Sequence, residues 1–310
     1  MRLCLVLLAS LSALSGQVAP DLEAANIRLG GLAYPRAAMD FQGGTVKLAA
    51  PPRRIVTLSD HVDEYLYQFL PGERIVGVSK SGFDESFSSV VDKVNQFHPE
   101  IIKDTASILR LKPDLVLAAD SMSLSGSDLR AAGIPVFSIS VTPTTLDQVA
   151  ANIVALGYVT GADEAAKAEL NRFQGVIEQV RETCKAPHGE PRIYGVSMTG
   201  FSFGDHTLFQ DVIRLVRGTN VAAENGMHTY EKVSPATVAQ WNPDWVFTWA
   251  VPGSGDYERR RWMEEDPGLR MTSAVKNNRV TVLQSKEVLP LSSLITGYIQ
   301  KIADATCPGV

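Results

Sequence analysis

A chain of 310 residues, 45% hydrophobic and 20% charged, can bury a core of ordinary size and is not a disordered chain. Its formal net charge of −5 argues against a nucleic-acid partner, because phosphate neutralisation needs a clustered excess of Lys and Arg. The one dense basic run, Arg259-Arg260-Arg261, is answered at once by Glu264-Glu265-Asp266 and reads as a solvated helix face.

In chain order, residues 1–19 come first: a positive start at Arg2, an apolar run over 3–14, and small residues around Ser15, Gly16 and Ala19. This is the layout of a secretory signal peptide, and the run is shorter than the roughly 20 apolar residues that span a bilayer. Cys4 lies at the start of that run rather than at its end, so no lipid anchor is expected. The mature protein is expected to be soluble and periplasmic. Loss of the leader leaves Cys184 and Cys307 in a compartment that permits disulfides. With two candidates the connectivity is forced if a bond forms; the alternative is two free thiols.

Residues 20–52 read as an extension leading into a first lobe over 53–160. There, short β-rich runs alternate with helical stretches: a strand over 54–58, a helix over 61–70, strands over 74–78 and 115–118, a helix over 124–132, a Gly-Ile-Pro turn and an extended run over 136–141. Strands that are almost continuously apolar and alternate with helices imply a parallel sheet covered on both faces. A long helix over 163–183 follows, with Leu170, Phe173, Ile177 and Val180 on one face and acids in its first turn. It forms a bridging segment over 161–186, and a Pro- and Gly-rich stretch ends it.

The alternation restarts in a second lobe over 187–310: a strand over 192–197, helices over 208–216 and 235–241, strands over 245–249 and 279–283, and a closing helix over 291–306. The phrase KPDLVLAAD at 112–120 recurs as NPDWVFTWA at 242–250, each placing Pro-Asp at the turn from a helix into a buried strand. The predicted fold is therefore α/β, with two Rossmann-like lobes, parallel sheets and a single bridging helix.

In such sheets ligands sit outside the C-terminal ends of the strands. The loops there carry His61, Phe83, Met122, Met198, Phe201, Phe203, Met227, His228, Tyr230, Trp249 and Tyr257. This aromatic and Met-rich set suits a large, flat, partly apolar chelate better than a bare ion or a sugar; the alternative is that these residues only pack the loops on the core. His61 and His228 are candidate axial ligands to a metal centre. The five histidines are scattered along the chain, so a bare-ion site with three or four converging ligands is not expected. Asp60, Asp63 and Glu64 look metal-like beside His61, but Asp63 and Glu64 are expected on the following helix, where acids complement the dipole.

No G-x-S-x-G is present: GVSMT at 195–199 and GVSKS at 77–81 both lack the second glycine. No phosphate loop, Cys-His pair or carboxylate pair stands out either, so an enzyme is not expected and a periplasmic hydrolase is the remote alternative.

The stretches PPRRIVTL (51–58), ERIVGVS (73–79), ILRLKPDLVL (108–117), LRAAGIPVF (129–137), the long helix, LFQDVIRLVRGTNVA (208–222), VSPATVAQWNPDWVF (233–247) and DPGLRMTSAVKNNRVTVL (266–283) occur in the order of a known family. The chain resembles the extracytoplasmic solute-binding proteins of ABC importers for ferric siderophores, haem and vitamin B12. That resemblance implies a monomeric carrier with no intrinsic cofactor, a metal-containing ligand (corrinoid, ferric siderophore or haem) held in a cleft between the lobes, and an inner-membrane ABC importer permease as partner. Where the family commonly carries a glutamate on each lobe to pair with permease arginines, this sequence has Ala106 and Ala236. Glu100, Asp104 and Glu231 stand nearby as substitutes, and a ligand-presenting sensor or accessory protein is the alternative. Phe83-Asp84 replace a tyrosine of some haem binders, which places haem behind corrinoid and siderophore.

Overall fold

The computed structural model describes residues 19–119, 126–185, 189–197, 199–250, 256–288 and 290–307. The leader, Met122 and Met198 thus lie outside the described residues, and Tyr257 enters only as a position in the helix Asp256–Glu265. The chain divides into two compact units. The first comprises residues 1–142, 147–174 and 290–294; the second comprises 143–146, 175–289 and 295–310.

The first unit is built on a five-stranded parallel sheet in the order Glu100–Ile102, Ile75–Ser79, Ile55–Thr57, Leu115–Ala119, Val136–Ile139. Every residue of Ile55–Thr57, Leu115–Ala119 and Val136–Ile139 is buried, as continuous apolar strands covered on both faces require. Val56, Leu58, Ile108, Leu111, Val116 and Leu129 form the core on one face. The helix Leu146–Thr160, unanticipated from sequence, has Val149, Ala151, Ile153, Leu156 and Val159 wholly buried.

Residues 20–52 also hold more structure than an extension: Arg28–Leu29, Arg36–Met39 and Thr45–Leu48 make a three-stranded antiparallel sheet. It is anchored by two buried polar groups. The Asp40 carboxylate accepts from Ser138 N at 3.1 Å and Arg130 Nη2 at 3.0 Å. The Arg36 guanidinium lies 4.6 and 4.8 Å from the ring centroids of Tyr34 and Tyr158 and pairs with Asp163 at 2.9 Å.

The second unit pairs Arg192–Val196, Trp245–Ala250 and Val280–Gln284 in parallel, with Thr219–Asn220 parallel to the first of these. Beyond Arg192–Val196 the sheet turns antiparallel through Phe201–Phe203 and Tyr230–Lys232, two strands inside segments that the sequence alone reads as loops. Cys184 and Cys307 are disulfide-bonded, tying the end of the helix Asp163–Thr183 to that of the helix Thr296–Thr306.

The repeated Pro-Asp has one mechanical purpose in both units. Asp114 accepts the backbone N–H groups of Arg53 and Arg54 at 2.7 and 2.8 Å, and the Arg54 guanidinium donates back to Leu111 O at 3.0 and 2.7 Å. Asp244 likewise accepts from Arg192 N at 3.1 Å, and the Arg192 guanidinium donates to Trp241 O at 2.8 Å. Each clasp fixes a helix that ends in a left-handed residue, Lys112 or Asn242, and sets the parallel register that follows, Ile55 beside Leu115 and Ile193 beside Trp245. Both positive-φ turns complete the helix C-termini, and the clasp supplies the partners those carbonyls lack.

Asp63 and Glu64 do lie on a helix, Asp60–Phe69, but that helix presents them to the interior, where both are 0% exposed. Asp63 accepts from the Thr57 hydroxyl. Burial, with Asp60 and Glu64 adding and the Thr57 hydrogen bond opposing, pushes its carboxyl well above the ordinary range. A raised carboxyl favours the folded state fully below its unfolded pKa, and that contribution is lost as pH climbs toward the folded value. Asp63→Asn keeps the acceptor and does not titrate. Its melting temperature is expected to match wild type below about pH 4 and to exceed it by about 2–4 °C at pH 7. A thermal melt series from pH 3.5 to 8 checks this; a constant offset across that range would contradict the assignment.

Candidate functional site

The large sheet of each unit reverses its strand order at one place, and the crevice at the strand C-termini there is the expected binding edge. In the first unit this edge follows Ile55–Thr57 and Leu115–Ala119. His61 is half-buried in the first turn of its helix, with Nδ1 3.5 Å from the buried Glu64 carboxylate. Phe83 ends the short turn Lys80–Phe83, and Ser81 Oγ donates to Asp60 at 3.0 Å beside it.

In the second unit the reversal lies between Arg192–Val196 and Trp245–Ala250, and here the structure gathers the predicted residues into one group. The strands Phe201–Phe203 and Tyr230–Lys232 pair Phe201 with Lys232 and Phe203 with Tyr230. Because alternate residues share a face, these pairs lie in a row. Lys232 Nζ stands 5.2 Å from the Phe201 ring centroid. Tyr230 meets Phe203 edge-on at 5.5 Å. Beneath them Trp249 stacks on Phe203 at 5.4 Å, and Phe209 closes the far side at 5.4 Å. Room for the two phenyl rings comes from Gly195, where a Cβ would lie 2.7 Å from Phe209 Cζ and 3.0 Å from Phe203 Cδ2.

Exposure divides the predicted set. Tyr230 is 51% and Phe201 38% exposed, so they offer surface to a ligand, whereas Trp249 at 8% backs the row through its stack on Phe203 and Met227 at 7% is buried. Desolvation raises the Tyr230 phenol above its ordinary pKa, so at neutral pH it is an uncharged hydrogen-bond donor. Lys232, absent from the sequence-based set, adds a cation at the rim.

The loops that leave this ribbon place His228 Nδ1 3.1 Å from Asp205 Oδ1 and His206 Nδ1 2.6 Å from the same oxygen. Burial acts to raise the Asp205 carboxyl, but the hydrogen bond from His228 and the charges of both imidazoles outweigh it and hold the pKa below the ordinary value. Asp205 and His206 escape sequence reasoning because only the pairing of two distant segments brings them to His228.

Ala106 and Ala236 are both exposed second residues of seven-residue helices, Thr105–Leu111 and Pro235–Trp241. Of the neighbouring acids, Asp104 is committed to its own helix, accepting Ser107 N at 2.7 Å. Glu100 pairs with Arg110 at 3.0 Å on the surface, and Glu231 is exposed.

The sequence profile of a family described as periplasmic binding protein matches residues 55–287. A cobalamin-binding protein of Halobacterium salinarum is 25% identical over 88% of this chain and 74% of its own length. A vitamin B12-binding protein of Vibrio cholerae is 26% identical over 76% of this chain and 82% of its own. Among solved structures, the periplasmic heme-binding protein RhuT of Roseiflexus sp. RS-1 superposes with a TM-score of 0.68 at 21% identity, covering 82% of this chain and 97% of that one. At that identity the likeness speaks for the fold. No described helix is long and apolar enough to cross a membrane.

Proposed function

The chain belongs to the periplasmic binding protein family, and on that premise we propose that it is a non-enzymatic, exported carrier of a metal chelate, a corrinoid before all others, for an ABC importer. The observation that carries this reading is the aromatic row at the strand-order reversal of the second unit, with Phe201 and Tyr230 exposed, Phe203 half-buried between them and Trp249 buried behind. A flat macrocycle stacks on such a platform, while Tyr230 and Lys232 meet peripheral amides or carboxylates with a donor and a cation. Two relatives named for cobalamin or vitamin B12 favour a corrinoid. A ferric siderophore ranks second. Haem ranks third, since Phe83-Asp84 stand where some haem binders carry a tyrosine.

A second reading, a ligand-presenting sensor of the same fold, is favoured by Ala106 and Ala236, which leave both helices without the family's docking carboxylate. The exposed Glu100 and Glu231 are proposed as the replacement contacts. Chelate-loaded protein used as bait on solubilised native membranes is expected to recover an importer permease, and recovery to fall when Glu100 and Glu231 are both changed to Gln. Recovery of a signalling receptor without any permease would overturn the carrier in favour of the sensor.

A further inference from the structure

The side chains of Asp205, His206 and His228 each offer one ligand atom, and these atoms lie within 4.8 Å of one another. Two imidazoles and one carboxylate are a donor set for a divalent first-row transition ion, and three protein ligands leave coordination positions open. The position of the group is built by the backbone rather than left to chance. Gly204 N donates to Thr229 O at 2.7 Å, Asp205 N to Met227 O at 3.0 Å and His206 N to His228 O at 2.8 Å, so the two loops are laced together on either side of the three donors.

Gly204 makes that approach possible: a Cβ there would lie 2.3 Å from Met227 O and 2.5 Å from the His228 carbonyl carbon. Asn220 Nδ2 holds Phe203 O at 2.9 Å, and Thr207 Oγ1 holds Gly204 O at 2.8 Å, which anchors the same loop to the body of the unit. Both imidazoles are 71% exposed, so they can turn the short distance that brings all three donors to about 2.1 Å from one ion.

We propose that Asp205, His206 and His228 form an open binding site for a divalent transition-metal ion, with zinc, nickel or cobalt as occupant and water or an incoming donor in the free positions. The site is a property of the second unit alone and does not rest on chelate carriage. A neutral imidazole pair with one carboxylate leaves a bound divalent ion with a net positive charge, which suits an anionic or phenolate donor arriving over the aromatic row. The surface ion-pair alternative, in which Asp205 merely accepts from two histidines, uses the same atoms and predicts no metal affinity.

The test uses protein without a polyhistidine tag, stripped with a chelator and dialysed against zinc or cobalt. One ion per chain is expected at micromolar free metal, and the cobalt form should show the visible absorption of a low-coordinate imidazole site. His206→Ala, His228→Ala and Asp205→Asn should each weaken binding by about tenfold or more, while His98→Ala leaves it unchanged. The side chains of His206 and His228 are 71% exposed and that of Asp205 36%, so the variants are expected to fold, which circular dichroism checks. Absence of saturable binding below about 0.1 mM metal, where a three-ligand site should be filled, would overturn the proposal, as would binding that survives loss of both histidines. Failure here leaves chelate carriage intact, because the chelate titration is run on metal-stripped protein.

Discussion

Replacing Cys184 and Cys307 together by alanine is expected to destabilise the second unit by about 2–5 kcal/mol. The bond joins residues 123 apart in sequence, and the cost of closing so long a loop in the unfolded chain is near the upper end for a disulfide. It also joins two helix ends: Cys184 follows Asp163–Thr183 and Cys307 follows Thr296–Thr306. The closing helix buries Tyr298, Ile299, Ile302 and Ala303. Its apolar face keeps it in place without the bond, so the double variant is expected to fold but to unfold at lower urea. Both sulfurs are buried, at 0% and 5% exposure, and alanine avoids leaving unpaired hydroxyls there. Equilibrium urea unfolding of wild type, with and without reductant, and of the double variant checks this: reductant should shift wild type toward the variant and leave the variant where it is. Equal midpoints for all three would contradict it.

The second large effect falls on binding. Phe201→Ala with Tyr230→Ala removes the two exposed rings of the row, and each stacked or edge-on aromatic contact contributes about 1–1.5 kcal/mol, so chelate affinity is expected to drop by about 30- to 100-fold. Stability should barely change, since Phe201 and Tyr230 are 38% and 51% exposed. Phe203 differs in kind. Its ring touches Trp249, Phe209 and Tyr230, so Phe203→Ala is a cavity mutation that lowers stability and affinity together. The contrast between the two variants separates a ligand platform from core packing.

Much of the architecture is written in local patterns. The helices Asp163–Thr183 and Pro235–Trp241 are delimited in sequence by their acids, proline and capping residues, and the parallel strands by unbroken apolar runs. The repeated Pro-Asp marks two similar lobes because the same aspartate-to-arginine clasp is needed twice, once per sheet. Other elements leave weaker traces. Leu146–Thr160 is apolar almost all round, so it shows no helical stripe; its period is hidden by its own burial. The strands over 28–48 are two to four residues long, too short for alternation to stand out.

The site is legible in residue type and illegible in arrangement. Phe201, Phe203 and Tyr230 announce themselves as aromatics near a strand end, but Phe-Ser-Phe and Tyr-Glu-Lys become paired strands only through a long-range register, and that register decides which rings meet. Trp249, which reads from sequence as a binding residue, is stacked on Phe203 and 8% exposed, a placement that its own strand does not announce. His228 could be named from sequence, whereas Asp205 and His206 acquire meaning only when Gly204 lets the two loops touch.

Isothermal titration of metal-stripped protein with cobalamin, cobinamide, ferric siderophores and haemin, run side by side on wild type and on Phe201→Ala/Tyr230→Ala, decides whether the aromatic row of the second unit holds a metal chelate. Wild type is expected to bind one chelate class saturably, a corrinoid first, with the isotherm displaced by about 30-fold or more in the double variant. No heat from any chelate with wild type, or equal affinity in the two proteins, would contradict it.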